Sequence, residues 1–228
     1  MAERAPAALL RAVAADHRPV RPLAPAWRRT LALAPLGMLA VITAPLYWGW
    51  RSNLAELGPF LAYGVSGLQA LLGLAVVGAA LREAVPGRAL SRGALLLTLA
   101  SAVAAEVGVT LATAHRAPVV VPPGVWLRYA WECLGMATVI GLPVLAAAGW
   151  LSARALPTRP ALAGALYGLG AGLVADGGTR LFCWDSEPAH VLVSHGGAIL
   201  ALAAAGALAA VLVDRGKARR ARTLLRRA

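Results

Sequence analysis

VLVSHGGAILALAAAGALAAVLV, residues 191–213, decides the fold. Apart from His195 it holds no ionisable side chain, and it exceeds the roughly 20 residues that carry a helix across a bilayer's hydrocarbon. Backbone groups in lipid must be satisfied within the segment, so a run of this length reads as helix. The alternating pattern of a strand barrel is missing. Five comparable runs precede it, at about 30–50 (bent by Pro35 and Pro45), 59–81, 93–115, 130–151 (with Gly141-Leu142-Pro143 at mid-span) and 160–182. The expected fold class is all-α: a polytopic membrane protein with six transmembrane helices in one bundle.

Composition agrees. The 228 residues are 59% hydrophobic and 14% charged, against about 25% charged in soluble domains. A net charge of +12 on a soluble protein would point to nucleic acid. Here its distribution argues otherwise, because basic residues gather on the cytoplasmic side of membrane proteins and favour anionic headgroups. Arg4, Arg11, Arg18, Arg21, Arg28 and Arg29 precede the first run. Arg82, Arg88 and Arg92 join the second and third, Arg154 and Arg159 join the fourth and fifth, and the tail DRGKARRARTLLRRA follows the sixth. The alternate connections hold only Arg51, Arg116 and Arg128, with Arg180 at the edge of the fifth run. Both termini are therefore expected in the cytoplasm of a bacterial inner membrane, with the lipid bilayer as a partner and no direct nucleic-acid role. The basic, polar residues ahead of the first run are too many for an ordinary signal n-region, so no cleavable signal is expected.

Three parts follow: an amino-terminal arm (residues 1–29), the membrane domain (30–213) and a basic tail (214–228), which is expected to lie as a helix on the membrane surface. In the arm, Leu9, Leu10 and Val13 share one face of a short helix that Asp16 and Pro19 end. Pro19, Pro22 and Pro25, with Val20 among them, favour an extended polyproline-like segment. The arm is either a topology signal or a docking element for a soluble partner.

The polar chemistry concentrates next to the opening stretch, in DGGTRLFCWDSEPAH (residues 176–190). Cys183, His190 and His195 lie at the outer edge on the charge count. Cys133, at the start of the fourth run, joins them there. Two cysteines exclude a disulfide-rich scaffold and a four-cysteine zinc site. An oxidising outer compartment permits a reversible disulfide, and thiolate with imidazole suits soft or borderline metals. The candidate ligands for a transient heavy-metal ion are Cys133, Cys183, His190 and His195, with no constitutive cofactor. A permanent staple between the cysteines, or two idle thiols, is the competing reading.

Gly164, Gly168 and Gly172 recur every fourth residue, the spacing that lets helices approach closely. Asp176 and Arg180 continue the same step and are expected to pair. Glu106 in the third run is within reach of Arg180, giving an intramembrane polar network that is functional or structural. No GxSxG or HExxH motif occurs, and the expectation is that the chain is not an enzyme. A small ion-coupled transporter using Glu106 and Asp176, or a structural subunit with a constant disulfide, are the alternatives to a regulator.

LLRAVAADHRPVRPLAPAWRR (residues 9–29), Gly141-Leu142-Pro143, Cys183 with Asp185-Ser186, and His195 resemble the NrsF-type negative regulators of sigma factor, which are six-span inner-membrane anti-sigma factors. The resemblance covers essentially the whole chain. It implies that the cytoplasmic arm, here Leu9, Leu10, Val13, Asp16, Pro19, Val20 and Pro22, binds an extracytoplasmic-function sigma factor. It also implies that two outward cysteines, matching Cys133 and Cys183, take part in the response to stress such as heavy metals. Glu187 before Pro188 and the additional His190 depart from the commoner pattern, which leaves the ligand set open.

Overall fold

The computed structural model describes residues 7–15, 22–119 and 122–225. Among them all regular structure is helical. A short helix α1 (Ala7–Ala15) precedes α2 (Ala26–Trp48). Next come α3 (Leu54–Pro59), a π-helical turn at Phe60–Gly64 and α4 (Val65–Glu83). Three long helices follow: α5 (Arg92–Arg116), α6 (Pro123–Leu151) and α7 (Pro160–Thr179). A single turn α8 (Pro188–Val191), a second π-helical turn at Leu192–Gly196 and α9 (Gly197–Leu225) complete the chain.

Five stretches are long and apolar enough to cross a membrane: Ala26–Trp48, Leu54–Glu83, Arg92–Arg116, Arg128–Leu151 and Pro188–Arg220. This is the make-up of a multi-pass membrane protein. Their outer faces carry large apolar side chains such as Leu31, Leu39, Leu96, Leu97 and Val103, each more than 60% exposed. In water, apolar surface on that scale is an aggregation hazard; in lipid it is the solvated surface. Exposed Trp27 and Trp150 lie at one end, and exposed Trp48, Trp50, Trp131 and Trp184 at the other. Two such groups match the aromatic belts found at membrane interfaces.

The fifth run is the exception to the sequence expectation. α7 is not among those five stretches, because glycine contributes little hydropathy and Asp176 lies within it. It has no need of an apolar coat. Nearly every residue from Ala163 to Thr179 is buried, and α7 packs against α9, α4, α6 and α2. Glycine sets how close they come. A Cβ on Gly164 or Gly168 would run into the backbone carbonyl of Gly206 or Leu202, and one on Gly172 would stand 2.7 Å from the Ile199 Cα, all on α9. On the opposite face, a Cβ on Gly170 would stand 2.6 Å from the Gly73 carbonyl oxygen of α4. The glycine stripe therefore has a second edge that the four-residue spacing does not reveal.

The tail differs too. It continues α9 as far as Leu225 without a break, since Ala, Arg and Leu are strong helix formers and no proline intervenes. Lys217 on this extension donates to the Ala153 carbonyl at 2.9 Å.

Arginines, two of them buried, tie the helix ends. At the foot of α2, Arg29 donates to the Leu81 carbonyl (2.9 Å) and the Leu151 carbonyl (3.2 Å), joining the final turns of α4 and α6. Arg159, just before α7, makes a two-pronged ion pair with the buried Glu83 at 2.8 and 2.9 Å, the stronger form of arginine–carboxylate contact. At the other end Arg51 donates to the Arg180 carbonyl (3.1 Å) and to Ser186 Oγ (3.2 Å). α2 thus separates two polar ends, and its length at 1.5 Å per residue is about 35 Å.

Candidate metal centre

Cys133, Cys183, His190 and His195 come together at the Arg51 end. One donor atom from each lies within 4.8 Å of the others, and all four residues are buried. The Sγ atoms of Cys133 and Cys183 are 3.9 Å apart and unbonded. His190 Nε2 lies 3.6 Å from Cys183 Sγ.

The elements that place these residues are unlike one another. Cys133 sits on α6. Cys183 follows α7, where its backbone N–H donates to the Thr179 carbonyl at 2.9 Å. The histidines depend on the π-helical turn. Five residues apart on a regular α-helix, His190 and His195 would diverge by about 140° around the axis. The wider turn at Leu192–Gly196 swings them back toward one side, so their rings meet edge to face at 5.8 Å between centroids. Such turns recur at functional sites. Glu187 caps the preceding turn, accepting from the His190 backbone N–H at 2.7 Å.

Behind each imidazole stands a carboxylate. Asp176 Oδ1 is 2.5 Å from His195 Nδ1, which leaves Nε2 of that ring buried without a hydrogen-bond partner among the described residues. Asp185 Oδ2 is 3.4 Å from His190 Nδ1, and Asp185 Oδ1 accepts from the Glu187 N–H at 2.9 Å. Burial raises the Asp185 carboxyl above its usual range.

Asp176 also connects the cluster to the polar network. Its Oδ2 accepts from Arg180 Nε at 2.7 Å and from Gln69 Nε2. Gln69 also donates to Glu106 Oε2 at 3.0 Å. Arg180 reaches Glu106 Oε1 at 3.0 Å and Thr110 Oγ1 at 3.2 Å. One guanidinium thus pairs with two carboxylates out of water, where breaking a buried pair costs several kcal/mol, of order 3–5. Sequence reasoning placed Glu106, Asp176 and Arg180 together but missed Gln69, Thr110 and Arg51. A single polar residue in an apolar run signals only that it needs a partner, not which one.

His115 and Glu132 lie outside the cluster. His115 is exposed, and the partly exposed Glu132 pairs with Arg128 at 3.0 Å. On α1, Leu10 and Val13 are exposed, and Pro22, ahead of α2, is exposed as well. Asp16, Pro19, Val20 and the side chain of Leu9 lie outside the described residues.

Fold and site together define a class: an all-helical, multi-pass membrane protein with thiols and imidazoles buried at one end. Residues 13–215 match the family described as NrsF, negative regulator of sigma F, and the chain belongs to that family. Its family therefore marks it as a regulator whose partner is a sigma factor. No curated protein and no solved structure was found to match the chain.

Proposed function

We propose that the protein is an inner-membrane anti-sigma factor. It sequesters an extracytoplasmic-function sigma factor and releases it when Cys133 and Cys183 meet a heavy-metal ion or an oxidant. The single observation that carries this reading is the division of chemistry between two ends. The thiols and imidazoles occupy one. The other bears Arg29, at the foot of the arm, and the exposed Leu10 and Val13 lie before it on α1. In this reading six helices cross the membrane, α7 among them as the buried centre. Both termini face the cytoplasm, residues 1–29 hold the sigma factor, residues 30–213 form the membrane domain, and residues 214–228 extend from it as the basic tail.

The signal has a physical route. Cys133 lies near one end of α6, and the Leu151 carbonyl at its other end receives Arg29. A disulfide would draw Cys133 toward Cys183 and shift α6 against α7, whereas a metal would lock the two elements at that contact; either changes the packing that Arg29 grips through Leu151. To change the sigma factor from mostly bound to mostly free, the two packings must differ in affinity for the signal by several kcal/mol, about 5.5 for a full reversal of a 1:99 population. A metal–thiolate centre or a disulfide is strong enough. The transporter alternative finds less support, since Glu106 and Asp176 are both committed to Arg180.

Co-purification tests the reading. The full chain should retain an extracytoplasmic-function sigma factor in detergent, and a chain lacking residues 1–27 should not. Equal retention by both would overturn the role given to the arm.

A further inference from the structure

The geometry points to a closed, four-donor site for one borderline-soft divalent cation of the zinc or cadmium type. Its ligands are the thiolates of Cys133 and Cys183 and one ring nitrogen each of His190 and His195, with Asp185 and Asp176 positioning the two imidazoles. This rests on the thiol-sensing reading above and deepens it, because it separates metal from oxidant as the signal and names the ligands.

The first argument is the shape of the cluster. A tetrahedral zinc ion has Zn–S bonds of about 2.3 Å and Zn–N bonds of about 2.0–2.1 Å, which puts two sulfurs about 3.8 Å apart and a sulfur and a nitrogen about 3.5 Å apart. The protein holds Cys133 Sγ and Cys183 Sγ at 3.9 Å and Cys183 Sγ and His190 Nε2 at 3.6 Å. Both spacings are edges of a metal tetrahedron. A disulfide would need the sulfurs to close to about 2.05 Å.

The second argument is independent of the first. His195 is 1% exposed, its Nδ1 is taken by Asp176, and its Nε2 has no hydrogen-bond partner among the described residues. A buried ring nitrogen without a partner costs free energy unless something fills its lone pair. An imidazole that turns one nitrogen to a carboxylate and offers the other is the usual form of a metal-ligating histidine. Asp185 Oδ2 stands 3.4 Å from His190 Nδ1, close enough to orient that ring but without a hydrogen bond to it.

Charge closes the argument. Binding converts two thiols and M²⁺ into a neutral M(SR)₂ centre and releases two protons, so no net charge is added beside the Asp176–Arg180–Glu106 network. With four protein donors no position is left open for water, which is the arrangement of a structural or sensing site and not of a hydrolytic one. The donor set disfavours Mg²⁺ and Ca²⁺, which take oxygen ligands.

The test uses the reduced full-length protein in detergent, titrated with Co²⁺ and then with Cd²⁺, while sigma-factor capture is measured in parallel without metal. One Co²⁺ per chain, with the intense visible bands of a four-coordinate site and sulfur charge transfer, is expected, together with displacement by Cd²⁺. His190→Ala and His195→Ala should each change that spectrum. Asp185→Asn, outside the membrane helices, should weaken Co²⁺ binding about 10–100-fold while leaving the spectrum four-coordinate. A pale six-coordinate spectrum, or one unchanged in both histidine variants, overturns the site. If the sigma factor is still captured in that case, the anti-sigma reading stands with oxidation as the signal. A four-coordinate Co²⁺ spectrum without capture supports the site and overturns the reading beneath it.

Discussion

Arg29 donates to the Leu151 carbonyl, the last residue of the helix whose amino-terminal half carries Cys133. The same guanidinium holds the Leu81 carbonyl at the end of α4. A residue at the junction of arm and membrane domain therefore grips two helices, one of which contributes a ligand to the thiol cluster. Replacing it with methionine keeps the bulk and removes the donors. Buried carbonyls left unsatisfied cost roughly 1–3 kcal/mol. Arg29→Met is expected to lower thermal stability by that order. It should also bind Co²⁺ like the native protein yet retain its sigma factor when metal is added. Normal release by this variant would remove Arg29 from the signal path.

Arg180 carries a different burden, since Asp176 and Glu106 both depend on it. Arg180→Met leaves Asp176 with His195 and Gln69 and Glu106 with Gln69, two buried carboxylates without their shared guanidinium. Destabilisation of about 3–5 kcal/mol follows from breaking a buried pair on one side. Adding Glu106→Gln should recover part of the loss by removing one of the stranded charges. Thermal unfolding of the single and double variants in detergent reads both effects, and strict additivity would show that the two residues do not interact.

Much of the fold was legible in the sequence, and what was not has physical causes. The run at residues 191–213 announces a membrane helix by length alone, and the four-residue glycine step names one face of α7. Its second face escapes notice because a helix covered on every side shows no polar stripe to mark its boundaries. The four donors are visible as residue types. The charge count groups them at one edge but does not reveal the geometry by which both rings face the thiols, because His190 and His195 are five apart, a spacing that puts them on one side only through a π-helical turn. Gln69 and Asp176 touch across 107 residues of chain, and no local pattern encodes such a pair.

Glycine at the α7–α9 contact gives a sharp comparison. On Gly168 a Cβ would collide with the Leu202 carbonyl, whereas on Gly216 it would meet nothing within 4 Å. Gly168→Ala should force the two helices apart and cost about 1–3 kcal/mol. Gly216→Ala should be neutral or stabilise by up to about 1 kcal/mol through helix propensity. Equal melting temperatures for the two variants would mean that α7 and α9 are not packed this closely.

The central claim is that the thiol cluster controls release of the sigma factor at the opposite end. Its most direct test is to reconstitute the full chain with its captured sigma factor in lipid vesicles, add Cd²⁺ to the face bearing the cluster, and measure the sigma factor that remains bound. The native protein is expected to release it, and the Cys133→Ser, Cys183→Ser variant to keep it at the same Cd²⁺ concentration. Equal release from both would contradict the account.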